Sequence, residues 1–171
     1  DAPAFLEWIG DLDALSAPYR TEPLRVGAQH TYEIAANWKL AVENYDECYH
    51  CPRIHPELCR VSPPESGANN PPKRGAFVGG PMDLMSHAVT MSLDGKSGGV
   101  MIPGLSTALL REVHYYALVP NLLLGFHPDY VMLHTLYPRA ADRTDVVCEF
   151  FFEPATIEAP GFDPSDAIEF W

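Results

Sequence analysis

Four side chains that can bind a metal or move a proton lie within ten residues of one another: Asp46, Glu47, His50 and His55. On a helix, residues three and four apart are neighbours, so either carboxylate can contact the His50 imidazole. His50 and His55 are five residues apart and would diverge by about 140° on a continuous helix. Pro52 lies between them and interrupts a helix, so the kink can turn His55 back toward His50. Two neutral imidazoles that converge on one point suit a borderline transition metal.

Two other interpretations of this stretch stay open. A histidine on a half-apolar helix is more often structural than ligating, and the nearby aromatic residues are then core residues: Trp38, Tyr45 and Tyr49. The thiols of Cys48 and Cys51, beside His50, suggest instead a thiolate zinc site. No second C-x2-C or C-x2-H pair follows in the sequence to complete four ligands, which argues against structural zinc.

Local signals predict the elements that carry these side chains. Residues 25–34 are rich in strand-forming types and predict a strand. Asn37 can cap a helix, and apolar residues at helical spacing extend that helix over residues 38–49. Pro52 is expected to end it. Pro56, directly after His55, is typical of the first position of another short helical turn.

The later part of the chain predicts an antiparallel sheet. Two loop-like stretches, residues 62–74 and 94–104, enclose weaker strand signals. The predicted strands cover residues 76–78, 87–91, 112–119, 122–126, 130–137 and 146–153. The last strand alternates, which places on its buried face Val146, Cys148, Phe150 and Phe152. A final helix is expected to begin with Asp163 as N-cap and Pro164 at its first position, and to be cut at Trp171.

Composition limits the classes of function. The 171 residues suit one domain, which we expect over residues 25–171 after a lead-in segment of residues 1–24. A net charge of −12 disfavours nucleic acid and anionic membrane surfaces as partners. Four cysteines, three of them within twelve residues, do not resemble a secreted disulfide framework. The sequence therefore predicts a cytoplasmic protein without a membrane span.

The segment NWKLAVENYDECYHCPRIHPEL, residues 37–58, resembles the catalytic-domain signature of Rieske non-haem iron oxygenase α subunits. The matching positions are Asn37, Trp38, Lys39, Glu43, Asn44, Glu47, Tyr49, His50, His55, Pro56 and Glu57. Two later stretches, VPNLLLGFHPDYVMLHTLYP and CEFFFEP, also resemble the family's sheet. The resemblance implies an α+β helix-grip fold of the START/Bet v 1 type, in which a curved antiparallel sheet surrounds a C-terminal helix that is truncated here.

The resemblance also implies a site. His50 and His55 correspond to the two imidazole ligands of a mononuclear iron(II), and Glu47 corresponds to the acid that connects the iron site to a Rieske cluster on a neighbouring subunit. Asn44 is expected to support this helix or to lie near the iron. The family's third ligand is an Asp, which we expect beyond Trp171. Asp163 is committed to capping, and two other acids are weak substitutes: Asp166 and Glu169.

Because the sequence has no C-x2-H element, the [2Fe–2S] cluster is expected only in the full-length protein. The implied whole enzyme takes electrons from a reductase or ferredoxin, uses dioxygen, assembles as a homotrimer, and hydroxylates or N-demethylates a small organic substrate. The ECYHCPxxHPEL form is most similar to the branch acting on quaternary amines such as glycine betaine, choline and carnitine. Aromatic candidates for the substrate site are Tyr115, Tyr116 and Phe126. The fragment alone is expected to be inactive, and the alternative function is a non-catalytic helix-grip module that binds hydrophobic ligands.

Overall fold

The computed structural model describes residues 2–70 and 72–171. Along the chain the elements are α1 (Phe5–Ile9), α2 (Leu12–Ser16), β1 (Arg25–Ile34), α3 (Trp38–Tyr45), α4 (Cys51–Ile54), α5 (Pro56–Val61), β2 (Phe77–Asp83), β3 (Glu112–Leu118), β4 (Leu122–Phe126), β5 (Tyr130–Ala140), β6 (Arg143–Phe152), α6 (Pro154–Ile157) and α7 (Ser165–Phe170). Single 3-10 turns cover Ala17–Tyr19, Pro64–Ser66 and Leu109–Arg111. None of the helices in these described ranges is both long and apolar enough to cross a membrane.

The six strands form one antiparallel sheet in the order β1-β6-β5-β4-β3-β2. Four consecutive strands, β3 to β6, are joined as neighbours, and β1 closes one edge beside β6. The register aligns three residues across neighbouring strands, His30 of β1, Cys148 of β6 and His134 of β5. At the other edge, Gly79 of β2 has φ +124°, and a Cβ there would lie 2.0 Å from the Tyr115 carbonyl oxygen. A side chain at that position would therefore break the β2–β3 pairing.

Successive strand residues point to opposite sides of the sheet. Both sides of the central strands are buried, because other elements of the chain cover each of them. One face packs against α3 and α7; its buried residues include Tyr130, Met132, Leu136, Val146, Cys148, Phe150 and Phe152. The other face packs against the N-terminal segment, which contributes Ile9, Leu12, Tyr19 and Leu24 to a cluster with Tyr116 and Phe126. The lead-in segment expected from the sequence is thus part of the core, and the domain division at residue 25 stays a prediction.

The strand predictions agree with the structure where the sequence alternates most clearly. Strands β1 and β4 have the predicted ends, and the predicted buried face of β6 is confirmed, with each of its four residues at most 6% exposed. The strand predicted at residues 76–78 is longer, and the one predicted at residues 87–91 is wrong, because that segment forms turns and bends. In that segment the Ala88 and Val89 N–H groups are bonded within the loop rather than to a neighbouring strand.

Candidate metal centre

A cavity of about 240 Å³ lies between the helices α3 to α5 and the sheet. The residues that line it are Asn44, Tyr45, Glu47, Cys48, His50, Cys51, His55, Glu57, Leu58, Met82, Tyr115, His134, Phe170 and Trp171. All four predicted site residues come from the 37–58 segment: Asn44 lies on the last turn of α3, and Glu47, His50 and His55 follow that helix. The structure therefore brings all four predicted residues to one cavity.

The two histidines flank the single turn of α4. His50 is the residue before α4, and His55 is shared between the end of α4 and the start of α5. Their ring centroids are 5.1 Å apart, and the rings are inclined by 76°. A metal bonded at about 2.1 Å to an imidazole nitrogen lies about 3.2 Å from the ring centroid, so two rings about 110° apart around it have centroids about 5.2 Å apart. The observed separation fits two imidazoles that share one metal ion.

Glu47 orients the His50 ring. Its Oε1 lies 2.5 Å from His50 Nδ1, and its Oε2 accepts the Tyr49 backbone N–H at 2.5 Å. The hydrogen bond from His50, followed in effect by that from Tyr49, holds the pKa of the Glu47 carboxyl below its ordinary value. When Nδ1 donates to this carboxylate, the lone pair of the neutral ring is on Nε2. A metal-ligating histidine usually donates its other ring N–H to a carboxylate, a backbone carbonyl or water, and the pairing of His50 with Glu47 agrees with that pattern.

The sequence predicted that a helix over residues 38–49 brings Glu47 to His50. The contact forms, but the predicted extent of the helix is wrong. Helix α3 ends at Tyr45 rather than at Tyr49, and residues 46–50 form a turn. The Glu47 carboxylate bonds the backbone within this turn, which competes with continued helix. Pro52 then lies in the first turn of α4, where proline is tolerated, instead of ending α3. Pro56 begins α5 as predicted.

Asp46, the other carboxylate near His50, faces a different space. It lines a surface cleft, lined also by Glu47 and Tyr49, and within residues 2–70 and 72–171 no hydrogen bond joins Asp46 to His50. Burial raises the pKa of Asp46 to about 6. Of the two carboxylates that the sequence allowed, the structure pairs only Glu47 with the imidazole.

The acids considered as a third ligand lie outside the cavity. Asp163 accepts the Ser165 N–H at 2.9 Å, but the N-cap of α7 is Pro164. The helix begins one residue later than predicted, so the N-cap position assigned to Asp163 is wrong. Asp166 lines a separate cavity of about 30 Å³, and Glu169 is exposed. Across the described residues, no group of three or more His, Cys, Asp and Glu side chains is arranged to hold a metal ion. Among the candidate ligands, His50 and His55 are the two whose rings the structure brings together in the cavity.

The thiols next to the histidines are paired with each other. Cys48 and Cys51 Sγ lie 2.9 Å apart, and both residues line the cavity. Burial, with a hydrogen bond to Cys48, raises the pKa of the Cys51 thiol to about 12. With this raised pKa, the thiol stays protonated at neutral pH when no cation lies beside it.

Of the three aromatic candidates from the sequence, only Tyr115 lines the cavity. Tyr116 and Phe126 are on the other face of the sheet, in the cluster with Tyr19. The aromatic wall instead includes residues that sequence reasoning missed: Tyr45, Phe170 and Trp171. Tyr45 is fixed there because its hydroxyl donates to the Leu124 carbonyl at 2.8 Å, a contact across 79 residues of sequence. Nothing local in the sequence indicates that contact.

The chain belongs to the family of ring-hydroxylating α subunit catalytic domains, because that family's model matches residues 21–171. A glycine betaine monooxygenase oxygenase subunit from Pseudomonas aeruginosa is 26% identical over 203 aligned positions, which cover 99% of this chain and 46% of the relative. The chain therefore spans less than half the length of this relative. The sequence-based assignment to the Rieske oxygenase family is confirmed.

Solved structures share the fold. The quaternary ammonium Rieske monooxygenase CntA superposes with a TM-score of 0.74 at 18% identity, over 99% of this chain and 41% of that chain. Naphthalene 1,2-dioxygenase from Rhodococcus sp. superposes with a TM-score of 0.66 at 19% identity, over 98% and 44% of the two chains. The predicted combination of helices with an antiparallel sheet is confirmed. The family uses a mononuclear iron in this domain and a [2Fe–2S] cluster in another domain, as the resemblance implied.

Proposed function

We propose that this chain is the catalytic domain of a Rieske-type oxygenase that hydroxylates or N-demethylates a small organic substrate at a mononuclear iron(II) held by His50 and His55. The observation that carries the proposal is the pair of imidazoles 5.1 Å apart in one cavity, with Glu47 bonded to one of them. A domain that only binds hydrophobic ligands has no need for this arrangement. The family membership favours the oxygenase for the same reason.

Iron bound at the histidine pair would supply the activation of dioxygen, which the side chains of this chain cannot perform. His50 and His55 would hold the metal through one ring nitrogen each. Glu47 keeps the His50 ring in one orientation and one tautomer. Asn44, on the neighbouring wall, is placed to hydrogen-bond a molecule that enters the cavity.

Glu47 is proposed to have a second role, as the acid that connects the site to the cluster of a neighbouring subunit. Its side chain lines both the cavity of about 240 Å³ that contains His50 and His55, hereafter the metal-side cavity, and the surface cleft next to it. Tyr49, which is 96% exposed, lies on that cleft. A carboxylate that reaches from the His50 ring to the surface is suitably placed for electron delivery from outside the domain. The electron donor itself is proposed to be a reductase or ferredoxin acting on a homotrimer of full-length subunits.

The substrate is proposed to be a small quaternary or N-methyl amine. The cavity of about 240 Å³ suits a molecule of that size, and aromatic rings of Tyr45, Tyr115, Phe170 and Trp171 form part of its wall. Cations are attracted to aromatic faces and to carboxylates such as Glu47. The relatives whose names specify a substrate act on glycine betaine and carnitine, which agrees with this choice.

The finer architecture is part of the same proposal. We assign the helix-grip arrangement to residues 25–171 because the antiparallel sheet packs around α7, whose Ala167 and Ile168 contact the face formed by Tyr130 and Phe150. The [2Fe–2S] cluster would belong to another domain of the full-length protein. A cytoplasmic location is proposed with it, since an electron-transfer chain of this kind needs a soluble reductase.

The test is the iron content of the full-length holoenzyme. We expect His50→Ala to lower the iron content by one atom per chain and to leave the visible absorption of the [2Fe–2S] cluster unchanged. The matched control is His87→Ala, since His87 is exposed in the loop after β2 and lines none of the cavities described. Equal iron content in the wild type and the His50 variant would contradict the oxygenase and favour a binding module.

A further inference from the structure

His134, on the sheet wall of the cavity, has polar atoms for which the protein provides no partner. The residue is 9% exposed, and its Nδ1 is fully buried without a hydrogen bond. Its Nε2 likewise makes no hydrogen bond to any of the described residues. Buried polar atoms are nearly always paired, because an unpaired one loses its hydration without compensation. An unpaired imidazole in a cavity wall is therefore a candidate for contact with a bound molecule.

The neighbours of His134 cannot supply the missing partner. Tyr45 packs edge-on against the ring with centroids 6.2 Å apart, but its hydroxyl is used by the Leu124 carbonyl. Trp171 lines the same cavity, and its indole N–H donates to the Tyr130 hydroxyl at 2.8 Å. The thiol of Cys148, directly across on β6, makes no hydrogen bond to the ring. The Nε2 atom of His134 therefore remains available to hydrogen-bond a molecule in the cavity.

His134 also lies between two spaces. It lines the metal-side cavity of about 240 Å³ and a second cavity of about 200 Å³ under β1 and β6. His134 and Trp171 are the residues common to both linings. The second cavity continues along the aligned row from His134 past Cys148 to His30, and the phenol of Tyr32 lies on it. His134 is therefore part of the wall that the two cavities share.

The two polar centres lie on different elements that line the same cavity. His50 and His55 belong to the α4–α5 segment, whereas His134 belongs to strand β5. A small substrate can therefore place its reacting carbon at the histidine pair and its other end at the sheet. Burial lowers the pKa of His134 to about 4, so at neutral pH its ring is uncharged, with one N–H donor and one acceptor nitrogen.

We propose that His134 is a specificity-determining residue that hydrogen-bonds an oxygen atom at the polar end of a small quaternary ammonium substrate. The inference rests on the proposed function and adds to it the group that selects the substrate's tail. The nitrogen available to a substrate is Nε2, since Nδ1 is fully buried. A carboxylate oxygen pairs with Nε2 when it bears the proton, and a hydroxyl pairs with it in either tautomer. A tetraalkylammonium ion without oxygen gains nothing from His134.

The experiment compares three probes that share an N-methylammonium head: glycine betaine with a carboxylate, choline with a hydroxyl, and tetramethylammonium with no oxygen. Their Kd values are measured by calorimetry on the iron-loaded full-length enzyme and its variants. We expect His134→Leu to weaken binding of glycine betaine or choline about five- to tenfold, the usual effect of a lost hydrogen bond. Binding of tetramethylammonium should stay within about twofold of the wild type.

Two further variants separate substrate recognition from structure. His134→Gln places an amide where Nε2, the ring nitrogen that is not fully buried, lies and should recover most of the affinity for the oxygen-bearing probe. Thr135→Val, on the opposite face of β5, is the matched control and should bind all three probes like the wild type. The proposal is overturned if His134→Leu weakens all three probes equally, if it weakens none, or if the wild type binds no oxygen-bearing probe more tightly than tetramethylammonium.

Iron content on the same preparations distinguishes the two possible failures. If the wild type holds iron and the His134 variants bind the three probes as the wild type does, the role of His134 is overturned. The proposed function then stands. A wild type that lacks the mononuclear iron overturns both.

Discussion

At the scale of single residues, the candidate site depends on one short contact. Glu47 and His50 are three residues apart, and the carboxylate both accepts from the imidazole and closes the turn through the Tyr49 N–H. The residue types at these positions predicted this pairing, although the turn that makes it is not the helix that the pattern favoured. The same carboxylate therefore has a structural and a chemical effect, and the two can be separated by substitution.

We predict that Glu47→Ala weakens iron(II) binding to the holoenzyme about 10- to 100-fold, because the His50 ring loses the partner that fixes its orientation. Glu47→Gln keeps an acceptor for His50 Nδ1 and should lose less. Iron(II) titration followed by calorimetry measures the effect. Glu43→Ala, on the exposed side of α3, is the control and should match the wild type. Unchanged affinity in Glu47→Ala would contradict the orienting role.

At the scale of elements, the long loop between β2 and β3 is attached to the sheet by a buried carboxylate. Asp129, in the β4–β5 turn, is 3% exposed and accepts hydrogen bonds from the Thr90 hydroxyl and, at 2.6 Å, from the Ser97 hydroxyl. Burial raises the pKa of Asp129 despite these bonds. The loop predicted from composition is thus an ordered element, fixed by contacts 32 and 39 residues apart.

Thr90→Val should lower the free energy of unfolding by about 1–3 kcal/mol, since it removes a donor from a buried carboxylate without changing the side-chain shape. Urea denaturation at neutral pH followed by circular dichroism measures the change. Thr31→Val on the exposed strand β1 is the matched control, with an expected change within about 0.5 kcal/mol. A Thr90 variant as stable as this control would show that the contact does not hold the loop.

At the scale of the whole molecule, the core contains an imidazole that must stay uncharged. His127 is 0% exposed, stacks on Tyr130 with centroids 4.1 Å apart, and lies 3.4 Å from the Tyr115 hydroxyl. Burial lowers the pKa of His127 to about 3. A hydrogen bond that the Tyr130 backbone accepts partly offsets this effect, and His114 reinforces it. The unfolded chain has the ordinary histidine pKa of about 6.5, so between these values it binds a proton that the folded state excludes.

His127 should therefore make the folded state less stable as the pH falls below about 6.5, by up to about 1.4 kcal/mol per pH unit until its folded pKa is reached. The stability that it contributes is fully present above pH 6.5. His127→Phe should flatten the curve of unfolding free energy against pH between 6.5 and 4, as measured by urea denaturation at each pH. His87→Gln, on the surface, should keep the wild-type slope. Parallel curves for the His127 variant and the wild type would refute this account.

Local sequence patterns predicted the site residues and the buried face of β6, although they misplaced the end of α3. The spacing of Glu47, His50 and His55, with proline at 52 and 56, predicted residues that share one cavity. The alternation of β6 predicted its buried face, because a strand exposes opposite sides in turn. The end of α3 at Tyr45 was missed, because a side-chain bond to the backbone stops a helix that apolar spacing alone would continue.

Only the tertiary structure decided which residues complete the site. His134 lies 79 positions after His55, and only the packing of the sheet against the helical segment brings both to the lining of one cavity. Trp171 and Tyr45 join the same wall through bonds to Tyr130 and Leu124, far away in sequence. Periodicity reports which face of an element is buried but not what lies across from it. The residues that lie across from a buried face depend on how whole elements pack together, which cannot be predicted from any short segment alone.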